Sequence, residues 1–172
     1  MSKYPTICVI PDTQVKADVP LDHLEALGNY LVEKQPDYVV QIGDWYDMPS
    51  LSSYDEKKAG FETRDYKADI DAGNEAMRIL EAPIAAYNKG KRGKNRYEPK
   101  KIMTLGNHDN RINRFREDAI NARFRNVVTQ KDFELDGWQV VPFLKIIKVC
   151  GIHMSHYFYA QQSGRPLGGN AQ

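Results

Sequence analysis

Thr6-Ile7-Cys8-Val9-Ile10-Pro11-Asp12 and, after a leucine-rich stretch, Tyr38-Val39-Val40-Gln41-Ile42-Gly43-Asp44 are the segments that decide the fold. Each is a short run rich in β-branched residues, closed by a turn-former and an aspartate, which reads as a strand. Between them Leu21, Leu24, Leu27 and Leu31 recur at spacings of three and four and predict a helix with one apolar stripe. Asp18 is expected to cap that helix, with Pro20 in its first turn. Pro36 should end it near Gln35, because a residue ahead of proline disfavours α geometry. Strand, helix and strand with short connections make a parallel pair joined by a right-handed crossover. Asp12 and Asp44 then share the sheet edge at which open α/β sheets take their ligands.

Downstream, residues 48–66 read as a long polar loop over that edge. A helix is predicted from about Ala68 to Tyr87, with Ile70, Met77, Leu80 and Ile84 on its apolar side and Pro83 as a possible kink. Lys89, Lys91, Arg92, Lys94 and Arg96 form a basic loop, either a solvated run or a contact for a nucleic-acid backbone. Residues 102–105 predict a third strand, followed at once by Gly106-Asn107-His108-Asp109. Ile112, Phe115, Ala119 and Ile120 suggest one more helix. Residues 138–154 predict two or three antiparallel strands, bent at Gly137 and Gly151 and ending at Ser155-His156. The tail from Ser163 has no periodicity and reads as loop.

A chain of 172 residues suits one domain, residues 1–172. Its net charge of +1 gives no global field toward polyanions or membranes, so any such attraction must be local. No apolar run is long enough for a membrane span or a leader. Cys8 and Cys150 lie in strand-like segments and are expected to be buried free thiols, which implies a reducing cytoplasm.

Three strands are each followed directly by metal-competent side chains. The first delivers Asp12 and Gln14, the second Asp44 and Asp47, the third Asn107, His108 and Asp109; a late strand delivers His156. Carboxylate, amide oxygen and imidazole suit Mn, Fe or Zn. A carboxylate is needed to bridge two dications, and Asp44 is the candidate. His153 competes with His156, but residues three apart on a strand face opposite sides, and the strand-end position favours His156. Gln14 is equally a ligand or a plain loop amide. Asp47 reads as structural, a cap for the next turn. Arg111 and Arg114 are either contacts for substrate phosphate or part of a solvated helix face. Trp45 and Tyr46 either stack on a base or pack under the long loop.

Asp12-Thr13-Gln14, Gly43-Asp44-Trp45-Tyr46-Asp47, Gly106-Asn107-His108-Asp109 and the strand-terminal His156 together resemble the calcineurin-like metallophosphoesterases, above all the compact versions of bacteriophage and bacterial genomes. The resemblance implies an α/β fold with two mixed β-sheets sandwiched between helices. It implies two divalent ions, manganese foremost, with iron, zinc, nickel or magnesium as alternatives. It implies hydrolysis of a phosphodiester or phosphomonoester by a metal-bound hydroxide. Carried over by residue, Asp12 ligates the first metal, Asp44 bridges both, and Asn107 and His156 ligate the second. His108 is no ligand and protonates the leaving oxygen, while Asp109 holds the His108 ring in its tautomer.

Two departures stand out. Gln14 occupies the place of the family's usual histidine, and the closing Gly-His-x-His motif is not found. The second sheet is therefore expected to be incomplete, the chain to be C-terminally truncated or clipped relative to the family, and its activity to be weak or nil. The expected partner is a phosphoester or nucleotide substrate, with nucleic acid open and no membrane; oligomeric state is not set. The expected setting is the cytoplasm, that of a bacterial host if the chain is phage-encoded. Two rival readings are a DNA-end nuclease of the same family and a non-catalytic domain with an incomplete metal site.

Overall fold

A computed structural model describes residues 4–53, 61–160, 162, 163 and 167. Strands β1 (Ile7–Ile10), β2 (Tyr38–Gln41), β3 (Lys100–Thr104) and β4 (Trp138–Val141) form one wholly parallel sheet in the order β1-β2-β3-β4. Helices α1 (Asp22–Lys34) and α2 (Tyr66–Asn88) carry the first two crossovers and pack on each other. Side chains alternate along each strand. Val39, Met103 and Trp138 join the helix-side core. Val40, Ile102 and Val141 turn to the other face, where Val149 and Met154 of an antiparallel hairpin cover them. That hairpin is β5 (Ile147–Val149) and β6 (Ile152–Met154). The α/β class with two sheets and flanking helices is the expected one, the large sheet being all parallel and the small one antiparallel.

The two long helices meet at a glycine. Leu24 and Leu31 are buried on either side of Gly28. A Cβ at Gly28 would stand 2.5 Å from the Leu80 carbonyl oxygen and 2.9 Å from Pro83 Cγ. Pro83 therefore sits at the crossing, and α2 continues past it to Asn88. At the end of α1, Gln35 takes a left-handed conformation (φ 45°) and donates its N–H to Leu31 O, a C-terminal cap that Pro36 then makes final.

Several expectations are corrected. Asp18 does not cap α1: it has φ 64°, Pro20 lies outside the helix, and Leu21 precedes the first turn with no side-chain cap. Asp22 and Glu25 instead place negative charge at the helix's positive end. The predicted helix through Ile120 stops early. α3 spans Arg111–Glu117, then Asp118 turns extended and its carboxylate caps a separate 3-10 run, Ala119–Phe124, by accepting from the Ile120 N–H. Ile120 is 84% exposed, so no core contact holds it in a longer helix.

Residues 138–141 pair parallel to β3, not antiparallel, because the connection after α3 is long enough to cross back over the sheet. Only β5 and β6 are antiparallel, joined by Cys150-Gly151 with φ 48° and 91°, the doubly positive geometry of a tight hairpin turn. Cys150 is thus exposed in a turn and Cys8 half-buried, rather than both being buried strand thiols. Part of the predicted long loop (54–60) and most of the tail (164–166, 168–172) lie outside the described residues. No helix among the described residues is long and apolar enough to cross a membrane.

The crossing makes a direct prediction. Gly28→Ala should lower stability in urea unfolding by about 1–3 kcal/mol through overpacking. It should do so although alanine is intrinsically the better helix former by about 1 kcal/mol.

Candidate metal centre

β1 and β2 end side by side, and their exit loops stay paired beyond the sheet. Thr13 and Gln14 both donate backbone N–H groups to Asp44 O (3.1 and 2.7 Å). The Val15 N–H reaches Trp45 O at 2.8 Å and the Asp47 N–H reaches Val15 O at 2.9 Å. Gly43 (φ 109°) and Asp44 (φ 53°) turn the chain sharply after β2. Buried Gln41 straps that turn, accepting from the Gly43 N–H at 2.7 Å and donating to Gly43 O at 2.8 Å. Aspartate tolerates the left-handed region better than most residues, but such strain persists only where the surroundings over-determine it. Here the N–H, the carbonyl and Oδ1 of Asp44 are all bonded.

The glycines of the two motifs are there because ligand side chains occupy the space. A Cβ on Gly43 would lie 2.5 Å from His156 Nδ1, and one on Gly106 would lie 2.0 Å from Asp44 Oδ1. Each motif can approach the other only without a side chain at that point.

Asp109 ties the loops together. Its buried carboxylate accepts from Asp44 N–H and Gly106 N–H through Oδ2 and from Tyr46 N–H through Oδ1, all at 2.8 Å. Burial pushes this carboxyl up to about 6, against the pull of those hydrogen bonds. With both oxygens engaged by backbone donors, Asp109 does not orient the His108 ring, which corrects the role carried over for it.

The carboxylate on that ring is Asp47. His108 Nδ1 lies 2.6 Å from Asp47 Oδ1 and 3.1 Å from Asp47 O. Both partners are acceptors, so Nδ1 carries the hydrogen and donates it. His108 Nε2 is left facing Asp44 Oδ2 at 3.9 Å. The hydrogen bond to Asp47 raises the His108 pKa above the usual imidazole value, with burial opposing it. For Asp47, burial pushes upward but is outweighed by the His108 ring and by the charges of His108, Lys16 and Arg111, so its carboxyl is held below the usual range. The second aspartate of Gly43-Asp44-Trp45-Tyr46-Asp47 was the available sequence signal, and its reading as a turn cap missed this contact.

Asp12, Asp44 and His156 each offer one donor atom, and these atoms lie within 4.8 Å of one another. His156 Nδ1 is 3.0 Å from Ile42 O and donates to it, which leaves Nε2 with a lone pair. That lone pair faces Asn107 Oδ1 at 3.0 Å and Asp44 Oδ2 at 3.4 Å. Asp12 Oδ1 is 3.6 Å from His156 Nδ1, the nitrogen that bears the hydrogen. In the neutral ring that metal ligation requires, these electron-rich atoms face one another, and a cation among them would be met by all three. Burial also raises the Asp44 carboxyl, a shift that a bound cation would reverse. The donor set fits a divalent ion.

The remaining candidates fall differently. His153 is exposed on β6 opposite Lys148, away from this cluster. Gln14 is held through its backbone N–H, with its side chain exposed and φ at 49°. Arg111 Nη1 donates to Asp47 O at 2.7 Å and Met48 O at 3.2 Å, so it braces the loop after β2. Arg114 is exposed and lines a 160 Å³ cavity with Ser53, Arg111 and Phe115. Trp45 and Tyr46 are fully buried, which removes base stacking. Trp45 Nε1 donates to Gly73 O at 3.0 Å, Tyr46 Oη donates to Asn74 Oδ1 at 2.7 Å, and the Tyr46 ring stacks on Phe133.

A family model described as calcineurin-like phosphoesterase matches residues 5–165. The chain is 32% identical over 149 residues to the Gene 54 protein of Mycobacterium phage D29, a match covering 81% of this chain and 52% of that protein. The chain thus spans about half the length of that relative. No solved structure matches it.

Two substitutions probe the loops. Asp109→Asn keeps the shape but removes an acceptor facing three N–H donors, and should cost about 1–3 kcal/mol for each donor left unpaired. Asp47→Asn should lower the His108 pKa of the metal-free protein, followed by NMR titration of the ring. The sign follows from the two shifts. The raised His108 stabilises the fold fully below the unfolded imidazole value and loses this as pH rises through its folded value. The lowered Asp47 stabilises above the unfolded carboxylate value and loses this as pH falls through its own folded value. The wild-type protein should therefore gain most from the pair between about pH 4 and 6.5, and Asp47→Asn should flatten that maximum.

Proposed function

We propose a function on one premise: this chain belongs to the calcineurin-like phosphoesterase family. Its members carry out metal-dependent hydrolysis of phosphoesters. The finer reading is hydrolysis of a phosphodiester or phosphomonoester with two divalent ions, manganese foremost. One observation carries it: the lone pairs of Asp44, Asn107 and His156 converge beside Asp12, with the His108 ring on the same carboxylate.

In this reading Asp12 and Gln14 would hold one ion and Asn107 and His156 the other, with Asp44 a ligand shared by both. The ions would supply a nucleophile at neutral pH and would balance charge on the phosphoryl oxygens. The protein's own part is positional. Asp47 fixes the hydrogen on His108 Nδ1 and raises the ring's affinity for a second proton, so Nε2 is ready to protonate a departing oxygen. Arg111 holds the Asp47 carbonyl and so keeps that ring in place. Asp109 maintains the spacing between the two loops that bear Asp44 and Asn107. The setting that goes with this reading is the cytoplasm of a bacterial host, in keeping with a phage relative.

His108→Ala is the discriminating variant. With Mn²⁺ supplied, loss of a general acid should reduce kcat by about 10²–10⁴-fold for an alkyl phosphoester, whose leaving group needs a proton. The loss should be much smaller for a 4-nitrophenyl ester, whose leaving group departs as a stable anion. Equal losses on both esters would contradict the acid role. Tight Mn²⁺ binding with turnover of neither ester by the wild-type chain would favour the non-catalytic reading.

Metal affinity itself should fall with pH. The Asp44 carboxyl is raised by burial, so protons compete with the ion over a higher range than for a free carboxylate. Calorimetric titration of Mn²⁺ should show weaker binding at pH 5 than at pH 7.5, and Asp44→Asn should bind weakly at both.

A further inference from the structure

The basic loop that the metal centre leaves unused belongs to a larger surface. Residues 89–101 carry Lys89, Lys91, Arg92, Lys94, Arg96, Lys100 and Lys101 against Glu98 alone, a net +6. The whole chain carries +1, so the rest sums to −5. A near-neutral protein thus places seven of its 24 lysines and arginines in one short segment. The fold adds to this by bringing in a residue remote in sequence: Lys148 of β5 lines a 410 Å³ cleft together with Tyr38, Lys100 and Lys101. Arg96 and Lys100 line a neighbouring 450 Å³ cleft with Tyr38 and Tyr97.

Asp37 and Glu98, which line the 450 Å³ cleft, and Glu81, which reaches Lys101 from outside both, are already engaged. Glu81 pairs with Lys101 at 2.7 Å and Glu98 with Arg96 at 3.0 Å. Asp37 accepts from the Thr6 N–H and hydroxyl. Among the described residues Lys89, Lys91, Arg92, Lys94, Lys100 and Lys148 have no carboxylate partner; Lys91 lies over the Tyr87 ring and Lys100 near the Tyr38 ring. Five of these six are exposed and Lys91 is partly so. An acidic protein surface would meet them equally well by sign, but a row of cations spread over two clefts and a loop suits a partner with charges repeating along its length.

The surface stands at the amino end of β3, where Lys100 begins the strand, whereas Asn107 and His108 follow its carboxyl end. Five residues of parallel strand separate the two by about 16 Å. A phosphate held here is not at the metal centre.

We propose that this surface is an anchoring site for the phosphate backbone of nucleic acid, separate from the metal centre. It holds the polymer by charge alone and reads no sequence. It does not rest on the catalytic reading, since binding here needs no metal ion.

The test is fluorescence anisotropy of a labelled 20-base-pair duplex with the full chain in EDTA, over a salt series. Six cations at about 0.9 counterion each give a log–log salt slope of about −5. Arg92→Glu/Lys94→Glu/Lys100→Glu should weaken binding at least tenfold and cut the slope by about three charges' worth, roughly 2.7. Lys67→Glu/Arg123→Glu/Lys131→Glu makes the same change in net charge elsewhere and should leave both values close to wild type. Thermal melts confirm that both triple variants fold, and the neutral Arg92→Gln/Lys94→Gln/Lys100→Gln replaces the first if it does not. Equal weakening by the patch and control variants would overturn the proposal, as would a wild-type slope shallower than about −1. Binding to anionic phospholipid vesicles without binding to the duplex would overturn it in favour of a membrane surface.

Discussion

The site depends on one buried carboxylate. Asp109 accepts from Asp44, Tyr46 and Gly106 at once, and so fixes the loop after β2 against the loop after β3. An ionised group out of water is costly unless its lone pairs are filled, and three backbone donors fill them. The opposing effects are visible in its acidity, which burial drives up and the donors hold back to about 6. Without that tie, the left-handed turn at Gly43-Asp44 would rest on the Gln41 strap and on the Thr13, Gln14 and His108 N–H bonds alone. The three side chains of the second motif thereby point different ways: Asn107 meets His156, His108 meets Asp47, and Asp109 faces inward to the scaffold.

The scaffold supports this arrangement from below. Trp45, Tyr46 and Met48 follow Asp44 directly and are fully buried, so the loop carrying the central carboxylate is anchored in the helix-side core. Gly73 of α2 admits the Tyr46 ring, since a Cβ there would lie 2.0 Å from it. On the opposite face, the β5–β6 hairpin covers Val40 and Ile102 and ends just before His156. The helix layer thus places Asp44 and the hairpin layer places His156. Asp44 and His156 thus meet through packing on both faces of the sheet.

Much of this was legible in the sequence because strand ends are marked by chemistry. The β-branched runs before Asp12, Asp44 and Asn107 are strands, and the sheet is parallel as the first crossover implies. What was not legible has identifiable physical causes. Asp18 looks like a helix cap, but caps depend on backbone angles, and its own angle is left-handed. Trp138–Val141 carries no mark of strand direction, which the crossover before it decides. Trp45 and Tyr46 look like a stacking platform in one dimension, and only the Asn74, Gly73 and Phe133 contacts show them to be core. Asp109, the neighbour of His108, is the partner that the resemblance implies, yet Asp47, which reads as a turn cap, meets the ring. Both are near it in the motifs, and which one meets the ring is settled by where the backbone donors point.

The central claim is that Asp12, Asp44, Asn107 and His156 form a seat for divalent cations. Anomalous diffraction at the manganese edge from crystals grown with Mn²⁺ tests it most directly. A peak is expected within bonding distance of Asp44 Oδ2 and His156 Nε2, with the Asn107 amide oxygen turned to it. Manganese bound only elsewhere on the surface, with the Asp44 and His156 side chains still in contact with one another, would contradict it.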